Sequence, residues 1–325
     1  MTSVLVLGGT GWLSGWLARD WIAAGAEVTC LARGTRPAPD GAALVEADRA
    51  APDAYDGVMD RDWDEVVDIS SDARHVEAAV SALADRAAHW TYVSTLSVYA
   101  AVDVEGADES AALLEPARPG DEYDYGRAKV AAEASVRAAL EPRAAIVRPG
   151  LIVGPGDPSD RFGYWVARFA MAGDEPVLVP QTGGRSVQVI DVRDLAAFLV
   201  SVGRTGWAGI ANAIGDPMPL GDLLEHARTV AGHTGEVRSA DDALLQEHDV
   251  AYWMGPRALP LWLPADMNGF ATRTNSVYRN LGGSLRPLDR TLRDTLADER
   301  ERGLDRERRS GLPRTDELAV LADLG

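Results

Sequence analysis

Cysteine is almost absent from this chain of 325 residues, which holds only Cys30. A single cysteine excludes an intramolecular disulfide framework and a zinc site built from several thiolates. The five histidines show no metal-site spacing, so we expect no bound metal. The sequence also lacks any run of the roughly 18–20 apolar residues that a membrane-spanning helix needs. With an N-terminus that runs directly into an apolar segment, these absences predict a cytoplasmic protein.

Positive charge is also scarce, with 32 lysines and arginines against 50 aspartates and glutamates and a formal net charge of −18 at pH 7. A nucleic-acid-binding protein needs a basic patch to neutralise phosphates, and docking on an anionic membrane surface needs one as well. We therefore expect neither nucleic acid nor a membrane as a partner. The length fits one large domain or two closely associated ones, at roughly 100–200 residues per domain.

The first half of the chain alternates between strand-like and helix-like segments. Short apolar runs, typical of buried parallel strands, are followed by segments with helical periodicity. The predicted strands cover residues 4–7, 27–31, 66–69, 90–94 and 144–147, and the predicted helices cover residues 12–24, 75–88 and 129–140. This alternation predicts an α/β fold with a doubly wound parallel sheet of the Rossmann type.

Later segments are mostly helical, with proline-rich breaks. We expect residues 1–155, joined again by residues 186–213, to form the sheet domain. Residues 156–185 and 214–325 then form a smaller, mostly helical C-terminal region over the strand ends, where a substrate binds. The charge-dense segment 293–309 is predicted to be an exposed helix face.

For each of five residues near or within this smaller region, the sequence leaves two roles open. Trp165, Trp253 and Trp262 either pack in the core, which we favour, or line an apolar pocket. Arg185 and Gln188 precede a predicted strand end, and each either contacts a substrate or has a structural or surface role.

A glycine-rich turn, residues 8–11, lies between the first predicted strand and the first predicted helix, which is the setting of a dinucleotide-binding loop. Gly8 allows the tight turn, and Gly11 lets the backbone approach a pyrophosphate. The helix that follows offers unpaired N–H groups and its positive dipole end to the anion. Ser14 replaces the usual third glycine and is small enough for close packing. The predicted dinucleotide-binding residues of this turn are Gly8, Thr10, Gly11, Trp12 and Leu13.

The end of the second predicted strand discriminates between the two nicotinamide dinucleotides. An NAD site usually places an acidic residue there, for the ribose 2′-hydroxyl. This chain instead has Arg33 and Arg36, which suit a 2′-phosphate, so NADP(H) is preferred. NAD(H) stays open, because Arg33 could stack on adenine instead. Asp48 and Arg49 complete the predicted adenosine site; Asp48 either accepts a hydrogen bond from the adenine amine or is a surface carboxylate.

Tyr125 and Lys129 stand four residues apart, on one face of a helix. A nearby ammonium stabilises a phenolate and lowers the pKa of a tyrosine from about 10. Such a tyrosine exchanges a proton with a carbonyl or an alcohol while hydride moves. Tyr123 is a rival phenol, but it lacks a lysine four residues further on. The strand that ends at Ser94 and Thr95 supplies hydroxyls earlier in the chain.

These motifs, in this order, make the chain similar to the extended (epimerase/dehydratase-like) branch of the short-chain dehydrogenase/reductase superfamily. The resemblance covers about residues 1–200. The matching residues are Gly8-Gly9-Thr10-Gly11, Ser94-Thr95 with Val98-Tyr99, Tyr125 with Lys129, Arg148-Pro149-Gly150 with Gly154-Pro155, and Val189-Ile190-Asp191-Val192-Arg193-Asp194.

The resemblance implies a role for each matched residue. Thr95 bonds the substrate oxygen, Tyr125 is the acid and base, and Lys129 bonds the ribose and tunes Tyr125. Three further residues are expected beside the cofactor: Ser70, Pro149 and Ile152. Superfamily members often dimerise through a four-helix interface, so a homodimer stays open.

Two departures from the family pattern narrow the function. Leu96-Ser97 replaces the Asp-Glu pair that sugar dehydratases carry after the threonine, and Leu151 stands in a stretch without the asparagine of many nucleotide-sugar epimerases. We predict an NADP(H)-dependent oxidoreductase that acts on a carbonyl or alcohol of a small molecule. The alternatives are an NAD-dependent sugar-epimerase-like enzyme and a non-catalytic dinucleotide sensor, although such sensors usually lose the Tyr/Lys pair that is present here.

Overall fold

Seven parallel strands form the central sheet of the computed structural model, which describes residues 1–324. The strands of the chain are β1 (Ser3–Leu7), β2 (Glu27–Ala32), β3 (Ala43–Glu46), β4 (Trp63–Asp68), β5 (Ala87–Val93), β6 (Ala144–Pro149), β7 (Leu151–Val153), β8 (Val177–Pro180), β9 (Ser186–Val187), β10 (Val189–Asp191), β11 (Gly209–Ala213), β12 (Met218–Pro219), β13 (Val237–Ala240), β14 (Ala251–Trp253) and β15 (Ala258–Pro260). The large sheet has the order β11-β6-β5-β4-β1-β2-β3. The direction of winding reverses between β1 and β4, and a crevice for a ligand is expected at such a point, at the carboxyl ends of the strands.

Helices cover both faces of this sheet. The helices of the chain are α1 (Trp12–Ala23), α2 (Ala73–Leu83), α3 (Tyr125–Leu140), α4 (Arg161–Ala172), α5 (Val192–Thr205), α6 (Leu220–Ala231), α7 (Asp242–Glu247), α8 (Ser276–Asn280), α9 (Leu288–Arg302) and α10 (Arg314–Asp323). On one face α1 packs with α5, and on the other α2 packs with α3. Each face has its own apolar core, because strands such as β1 are buried on both sides. The predicted doubly wound α/β fold is confirmed.

The smaller region has a separate core between α4, α6 and α9, next to the short parallel pair of β8 and β13. Trp165 and Trp262 are fully buried there, so core packing is confirmed for both. None of the helices described here is long and apolar enough to span a membrane.

The predicted helix over residues 75–88 is wrong at its end. Helix α2 stops at Leu83, residues 84–86 make a single 3₁₀ turn, and Ala87 begins β5. The alanine-rich sequence continues the helical pattern, but pairing with β4 outweighs that propensity. Helix α3 begins at Tyr125 rather than at Lys129, because the Asp124 side chain caps it by accepting a hydrogen bond from the Arg127 N–H group at 2.7 Å.

The expectation of an exposed helix face over residues 293–309 holds only as far as Arg302, where Arg293, Arg300 and Glu301 are exposed. Helix α9 ends at Arg302, and its inner face is buried through Thr291, Leu292, Thr295, Leu296 and Glu299. Its charges belong to a C-terminal ion cluster, which joins two buried carboxylates to arginines of the last forty residues. The cluster consists of Asp160, Glu299, Arg302, Arg306 and Arg308. It ties the segment after α9 to the residue that precedes α4.

Candidate cofactor cleft and active site

The glycine loop between β1 and α1 is shaped by close contacts that only small residues permit. Gly8 has a φ of +84°, a conformation that favours glycine. A Cβ on Gly9 would lie 2.5 Å from the Sγ of Cys30, which is itself buried. The Ser14 hydroxyl accepts a hydrogen bond from the Gly11 N–H at 2.8 Å and donates one to the Gly8 carbonyl at 2.7 Å. Ser14 therefore closes the loop, in addition to packing in place of the third glycine.

A cleft of about 550 Å³ opens beside this loop, at the carboxyl ends of the sheet strands. The predicted cofactor residues that line it are Gly8, Thr10, Gly11, Trp12, Leu13, Arg33, Arg36, Asp48, Arg49 and Ser70. Its size lies within the range of cofactor sites. The first N–H groups of α1 have no partner inside the helix and can bind an anion. The residues present thus fit a dinucleotide.

The adenosine end of the cleft has two free guanidiniums, and a carboxylate that the sequence interpretation missed lies against the loop that carries them. Arg33 and Arg36 are exposed, and no ion pair within residues 1–324 involves either of them. Asp48 is exposed and accepts a hydrogen bond from the Ala50 N–H at 3.0 Å. Glu46, the last residue of β3, lies against Gly34, whose Cβ would be 2.7 Å from its carboxyl carbon. Glu46 was missed because β3 has only four residues and was not predicted.

Arg49 reaches the cleft, but its guanidinium is committed to the protein. It binds both carboxylate oxygens of Asp68 at 2.7 Å and donates to the Tyr55 hydroxyl at 2.9 Å and to the His75 carbonyl at 2.7 Å. Asp68 is buried and also accepts a hydrogen bond from the Ser70 N–H at 2.9 Å. This network braces the end of β4, so a cofactor contact by Arg49 stays a prediction.

Lys129 is buried under the cleft, with 3% of its surface exposed. Its Nζ donates hydrogen bonds to the Ser70 carbonyl at 2.9 Å and to the Val93 carbonyl at 2.6 Å, and it lies 4.7 Å from the ring centroid of Tyr92. Burial lowers the pKa of Lys129 to about 7, although the charges of Asp68 and Glu133 oppose this shift. Lys129 thereby joins the ends of β4 and β5.

Tyr125 and Thr95 come together where α3 begins. Thr95 caps a 3₁₀ turn by accepting a hydrogen bond from the Ser97 N–H at 3.2 Å. A Cβ on Gly126 would collide with the Ser97 carbonyl oxygen, so this glycine lets the start of α3 approach the turn. Tyr125 keeps 42% of its surface exposed, and its phenol can reach a substrate.

The pKa of Tyr125 is shifted in the direction opposite to our expectation. Burial raises the pKa of Tyr125, and a hydrogen bond with Thr95 and the charge of Arg161 lower it by less. The expectation that Lys129 lowers this pKa is therefore wrong for this structure. The Lys129 ammonium is tied to two backbone carbonyls, and desolvation of the phenol is the larger effect.

A buried ionic network lies behind these residues. Ser94 donates a hydrogen bond to Glu133 at 2.5 Å, and Arg148 binds the same carboxylate at 2.6 and 2.9 Å. Arg148 also donates to the Tyr99 hydroxyl at 2.9 Å, and Tyr99 donates to Asn212 at 2.7 Å. Three of the residues that carry the family resemblance, Ser94, Tyr99 and Arg148, thus fix β5, β6 and β11 against α3.

Pro149 and Ile152 lie outside the main cleft. Pro149 ends β6, and Ile152 lies in β7, which pairs in parallel with β10. Close by, the Trp12 indole donates a hydrogen bond to the Pro155 carbonyl at 2.8 Å. The proximity of Pro149 and Ile152 to the nicotinamide stays a prediction.

A second, narrow pocket of about 10 Å³, with room for about one water molecule, lies on the substrate side of the active site. Its apolar walls include Leu96, Leu151, Trp253, Leu261 and Phe270. Leu96 directly follows Thr95, so this pocket adjoins the predicted catalytic hydroxyls. Trp253 is half-buried and has both roles, because it packs against the core of the smaller region and also lines this pocket.

Arg185 and Gln188 have structural roles. Arg185 pairs with Asp242 at 2.5 Å and donates to the Leu263 carbonyl at 2.9 Å. Gln188 is buried and donates to the carbonyls of Gly215 and Arg273. Within residues 1–324, no group of three or more histidine, cysteine or acidic side chains could hold a metal ion.

Comparison with known proteins agrees with this geometry. The model of the NAD-dependent epimerase/dehydratase family matches residues 4–214. Among solved structures, a protein described as an epimerase from Burkholderia cenocepacia has a TM-score of 0.72 at 22% identity, and the match covers 92% of this chain and 98% of that one. A dTDP-glucose 4,6-dehydratase from Bacillus anthracis, solved with NAD, has a TM-score of 0.67 at 14% identity, covering 93% of this chain and 97% of that one. Both likenesses show the fold.

One curated relative matches a shorter segment. A ceramide reductase from Caulobacter vibrioides is 41% identical over 87 residues, which make up 27% of this chain and 26% of that protein. The match therefore spans about a quarter of the relative's length. The family model, in contrast, extends from β1 through β11 and contains the glycine loop, Thr95, Tyr125 and Lys129. The chain is accordingly an enzyme of the NAD-dependent epimerase/dehydratase family, in the extended branch of the short-chain dehydrogenase/reductase superfamily.

Proposed function

We propose that this enzyme is an NADP(H)-dependent oxidoreductase that interconverts a carbonyl and an alcohol. The observation that carries the proposal is the meeting of three groups beside a dinucleotide-sized cleft. Tyr125 is open to the substrate side, the Thr95 hydroxyl is close enough to lower the pKa of its phenol, and Lys129 lies one helical turn further on, under the cleft. The curated relative with the short match is named a reductase, in agreement with this reaction class.

The chain's own residues handle the proton in this reaction. A reduced nicotinamide, when bound, supplies hydride to the carbonyl carbon. Tyr125 then donates its proton to the carbonyl oxygen, so the carbonyl becomes an alcohol, and the reverse direction returns the proton to Tyr125. Thr95 donates a hydrogen bond that positions the substrate oxygen. Lys129 supplies a donor for the cofactor ribose. Residues of the glycine loop, together with Ser70, Pro149 and Ile152, hold and orient the dinucleotide.

A pair of tyrosine variants tests the catalytic assignment. Tyr125→Phe removes the proton that the substrate oxygen receives, so we expect kcat to fall by about 10²-fold or more, while the Kd for the cofactor stays within twofold. Tyr123→Phe is the matched control, because Tyr123 is 69% exposed and only two residues away. Full activity of Tyr125→Phe, or equal losses in both variants, would contradict the assignment.

The preference for NADP(H) is proposed from the two free guanidiniums at the adenosine end. Titration with NADPH and with NADH, followed by nicotinamide fluorescence, is expected to give a lower Kd for NADPH. Arg33→Gln and Arg36→Gln should weaken NADPH binding about tenfold each and leave NADH binding almost unchanged, since only NADPH carries a 2′-phosphate. Equal effects on both dinucleotides would contradict a phosphate contact.

A second candidate is an epimerase that keeps NAD bound and regenerates it in each cycle. Glu46 favours it, because a carboxylate at the end of β3 is near enough to the Arg33 loop to bond a ribose 2′-hydroxyl. Three results would favour the epimerase over the reductase. NAD would copurify with the enzyme, the affinity for NADH would fall in Glu46→Gln, and turnover would proceed without net redox change. A dinucleotide sensor is disfavoured by the complete set of Thr95, Tyr125 and Lys129.

The division of labour along the chain follows from the same proposal. Residues 1–155 and 186–213 hold the dinucleotide, and residues 156–185 and 214–325 supply the substrate side. We place the enzyme in the cytoplasm, where both nicotinamide dinucleotides are available.

A further inference from the structure

Arg161 lies at the substrate side of the active site and forms no ion pair within residues 1–324. It is the first residue of α4, and its Nε donates a hydrogen bond to the Ser159 hydroxyl at 3.2 Å. None of the ion pairs and hydrogen bonds found among residues 1–324 uses its two Nη groups. Several other arginines of the smaller region have carboxylate partners, such as Arg185 with Asp242 at 2.5 Å and Arg314 with Glu317 at 2.9 Å.

Two carboxylates close to Arg161 in sequence form no ion pair with it: Asp160 binds Arg302 and Arg306 instead, and Asp157 acts on Arg161 only through its charge. Asp157 is buried, and its carboxylate accepts hydrogen bonds from the N–H and hydroxyl groups of Ser159 at 2.8 and 2.9 Å. Burial also raises the pKa of Asp157, while the hydrogen bonds from Ser159 and the charge of Arg161 lower it by less. The guanidinium of Arg161 is half-buried, and burial lowers the pKa of Arg161. Partial burial of an unpaired charge is unfavourable, and a ligand that brings an opposite charge removes the penalty.

Trp253 holds one face of the guanidinium. The Arg161 guanidinium carbon lies 4.9 Å from the centroid of the Trp253 ring. The same indole meets the Phe270 ring edge to face, with centroids 5.9 Å apart and planes at 88°. The three side chains come from α4, β14 and the 3₁₀ segment before α8, and we call them the Arg161 wall.

The backbone at Trp253 is strained, and this backbone conformation sets the direction of the indole. Trp253 has a φ of +68°, and the Met254 N–H bonds the Tyr252 carbonyl across it at 2.7 Å. This is a γ-turn with positive φ, which is rare and unfavourable for a bulky residue. Trp262 holds it by accepting the Trp253 N–H at 3.0 Å and stacking on Tyr252 with centroids 3.8 Å apart. Strained residues of this kind cluster at ligand-binding sites.

The Arg161 wall adjoins the reacting groups. Trp253 and Phe270 line the same narrow pocket as Leu96, the neighbour of Thr95. Arg161 is close enough to Tyr125 for its charge to act on the phenol. A substrate oxygen at Tyr125 and Thr95 would therefore have an apolar wall on one side and an unpaired guanidinium within reach.

We propose that the Arg161 wall binds an anionic group of the substrate, so that the natural substrates are carbonyl compounds whose apolar body carries a carboxylate or phosphate. The proposal rests on the oxidoreductase function proposed above. The guanidinium is suited to a carboxylate or phosphate because its two free Nη groups can bind two oxygens at once. Trp253 and Phe270 contact the apolar body.

The test compares ligands that differ only in charge. Reduction of benzoylformate and of benzoylformamide is followed with NADPH, in the wild type, in Arg161→Gln and in Arg19→Gln. Arg19 is the matched control, because its guanidinium also lies over an indole, that of Trp16 at 5.5 Å, but on the exposed side of α1. We expect the wild type and Arg19→Gln to favour the acid at least tenfold in kcat/KM. Arg161→Gln should lose this preference, mainly through a higher KM, while its rate with the amide stays within twofold.

A binding measurement decides the inference independently of turnover. With the cofactor site saturated with oxidised dinucleotide, calorimetry measures the Kd of benzoate, benzamide and phenyl phosphate. We expect the wild type to bind an anion more tightly than it binds benzamide. This preference should be lost in Arg161→Gln and retained in Arg19→Gln. The comparison of benzoate with phenyl phosphate separates a carboxylate site from a phosphate site.

The possible failures are distinguishable. Wild-type enzyme that reduces neither ketone would contradict the proposed function, and the binding arm would still decide the anion site. Three results would each overturn the role of Arg161 in substrate binding. They are equal kcat/KM for both ketones, anion binding that survives in Arg161→Gln, and a cofactor Kd that rises tenfold in that variant.

Discussion

Ser14 offers the sharpest test of how the glycine loop is built. Its hydroxyl bonds the Gly11 N–H at 2.8 Å and the Gly8 carbonyl at 2.7 Å, and its side chain is buried. Ser14→Ala removes both bonds and leaves two backbone groups of the loop without this partner. At about 1 kcal/mol for each hydrogen bond, the free energy of unfolding should fall by about 2 kcal/mol.

The same variant should weaken cofactor binding. If binding must supply about 1.4 kcal/mol to order the loop, the Kd for the dinucleotide rises about tenfold. Urea unfolding at pH 7, followed by tryptophan fluorescence, measures the first quantity, and nicotinamide fluorescence measures the second.

Ser135→Ala is the matched control for this prediction. Ser135 lies within α3, and its hydroxyl bonds only the Ala131 carbonyl of the preceding turn, at 3.2 Å. We expect its unfolding free energy to change by less than about 0.5 kcal/mol. A change that small in Ser14→Ala, with a Kd within twofold of the wild type, would refute the reasoning that the hydroxyl closes the loop.

Three further predictions concern buried charges, each measured by urea unfolding. Lys129 has a pKa of about 7 in the folded chain and about 10.5 in the unfolded chain. Between these pH values only the unfolded chain holds the proton. The stability of the wild type relative to Lys129→Met should therefore rise with pH, by up to about 1.4 kcal/mol per pH unit. Burial opposes protonation of His89, but Glu65 raises the pKa of His89 above 6.5, so the stability that the pair contributes is complete below pH 6.5 and is lost as pH rises through the raised pKa. His89→Gln should therefore be most destabilising at pH 6. A loss of unfolding free energy that stays constant up to pH 9 would refute this. Asp160→Asn introduces a residue that tolerates the local φ of +62° but removes the charge that Arg302 and Arg306 share. The free energy of unfolding should fall by about 3 kcal/mol. A loss under about 1 kcal/mol would argue against the ion cluster.

Patterns confined to one segment were predictable from the sequence. The apolar run of β1 and the glycines after it indicate a buried strand and a close backbone turn, because both depend on neighbouring residues. The spacing of Tyr125 and Lys129 places both on one helical face for the same reason. The structure places Lys129 under the cleft and Tyr125 beside Thr95, with the glycine loop as one wall of that cleft.

Features assembled from distant segments were not predictable. Arg161, Trp253 and Phe270 are separated by up to 109 positions, and no local period relates them. The role of Arg49 depends on Asp68, which follows it by 19 positions. The buried face of α9 did leave a signal, since Thr291, Leu292, Thr295, Leu296 and Glu299 recur at helical spacing. The high charge of the surrounding sequence concealed it.

The hydrogen bond from the Trp12 indole to the Pro155 carbonyl has a consequence for how the two ligands influence each other. Trp12 begins the helix whose N-terminus meets the dinucleotide, and Pro155 belongs to the loop that leads to Arg161. If the glycine loop shifts when the cofactor binds, this bond joins the shift to the segment that positions the substrate side. Any gain in substrate affinity that the cofactor produces through this bond must be matched by an equal gain in cofactor affinity when substrate binds first. In that case the two ligands bind cooperatively, and the enzyme discriminates against incomplete complexes.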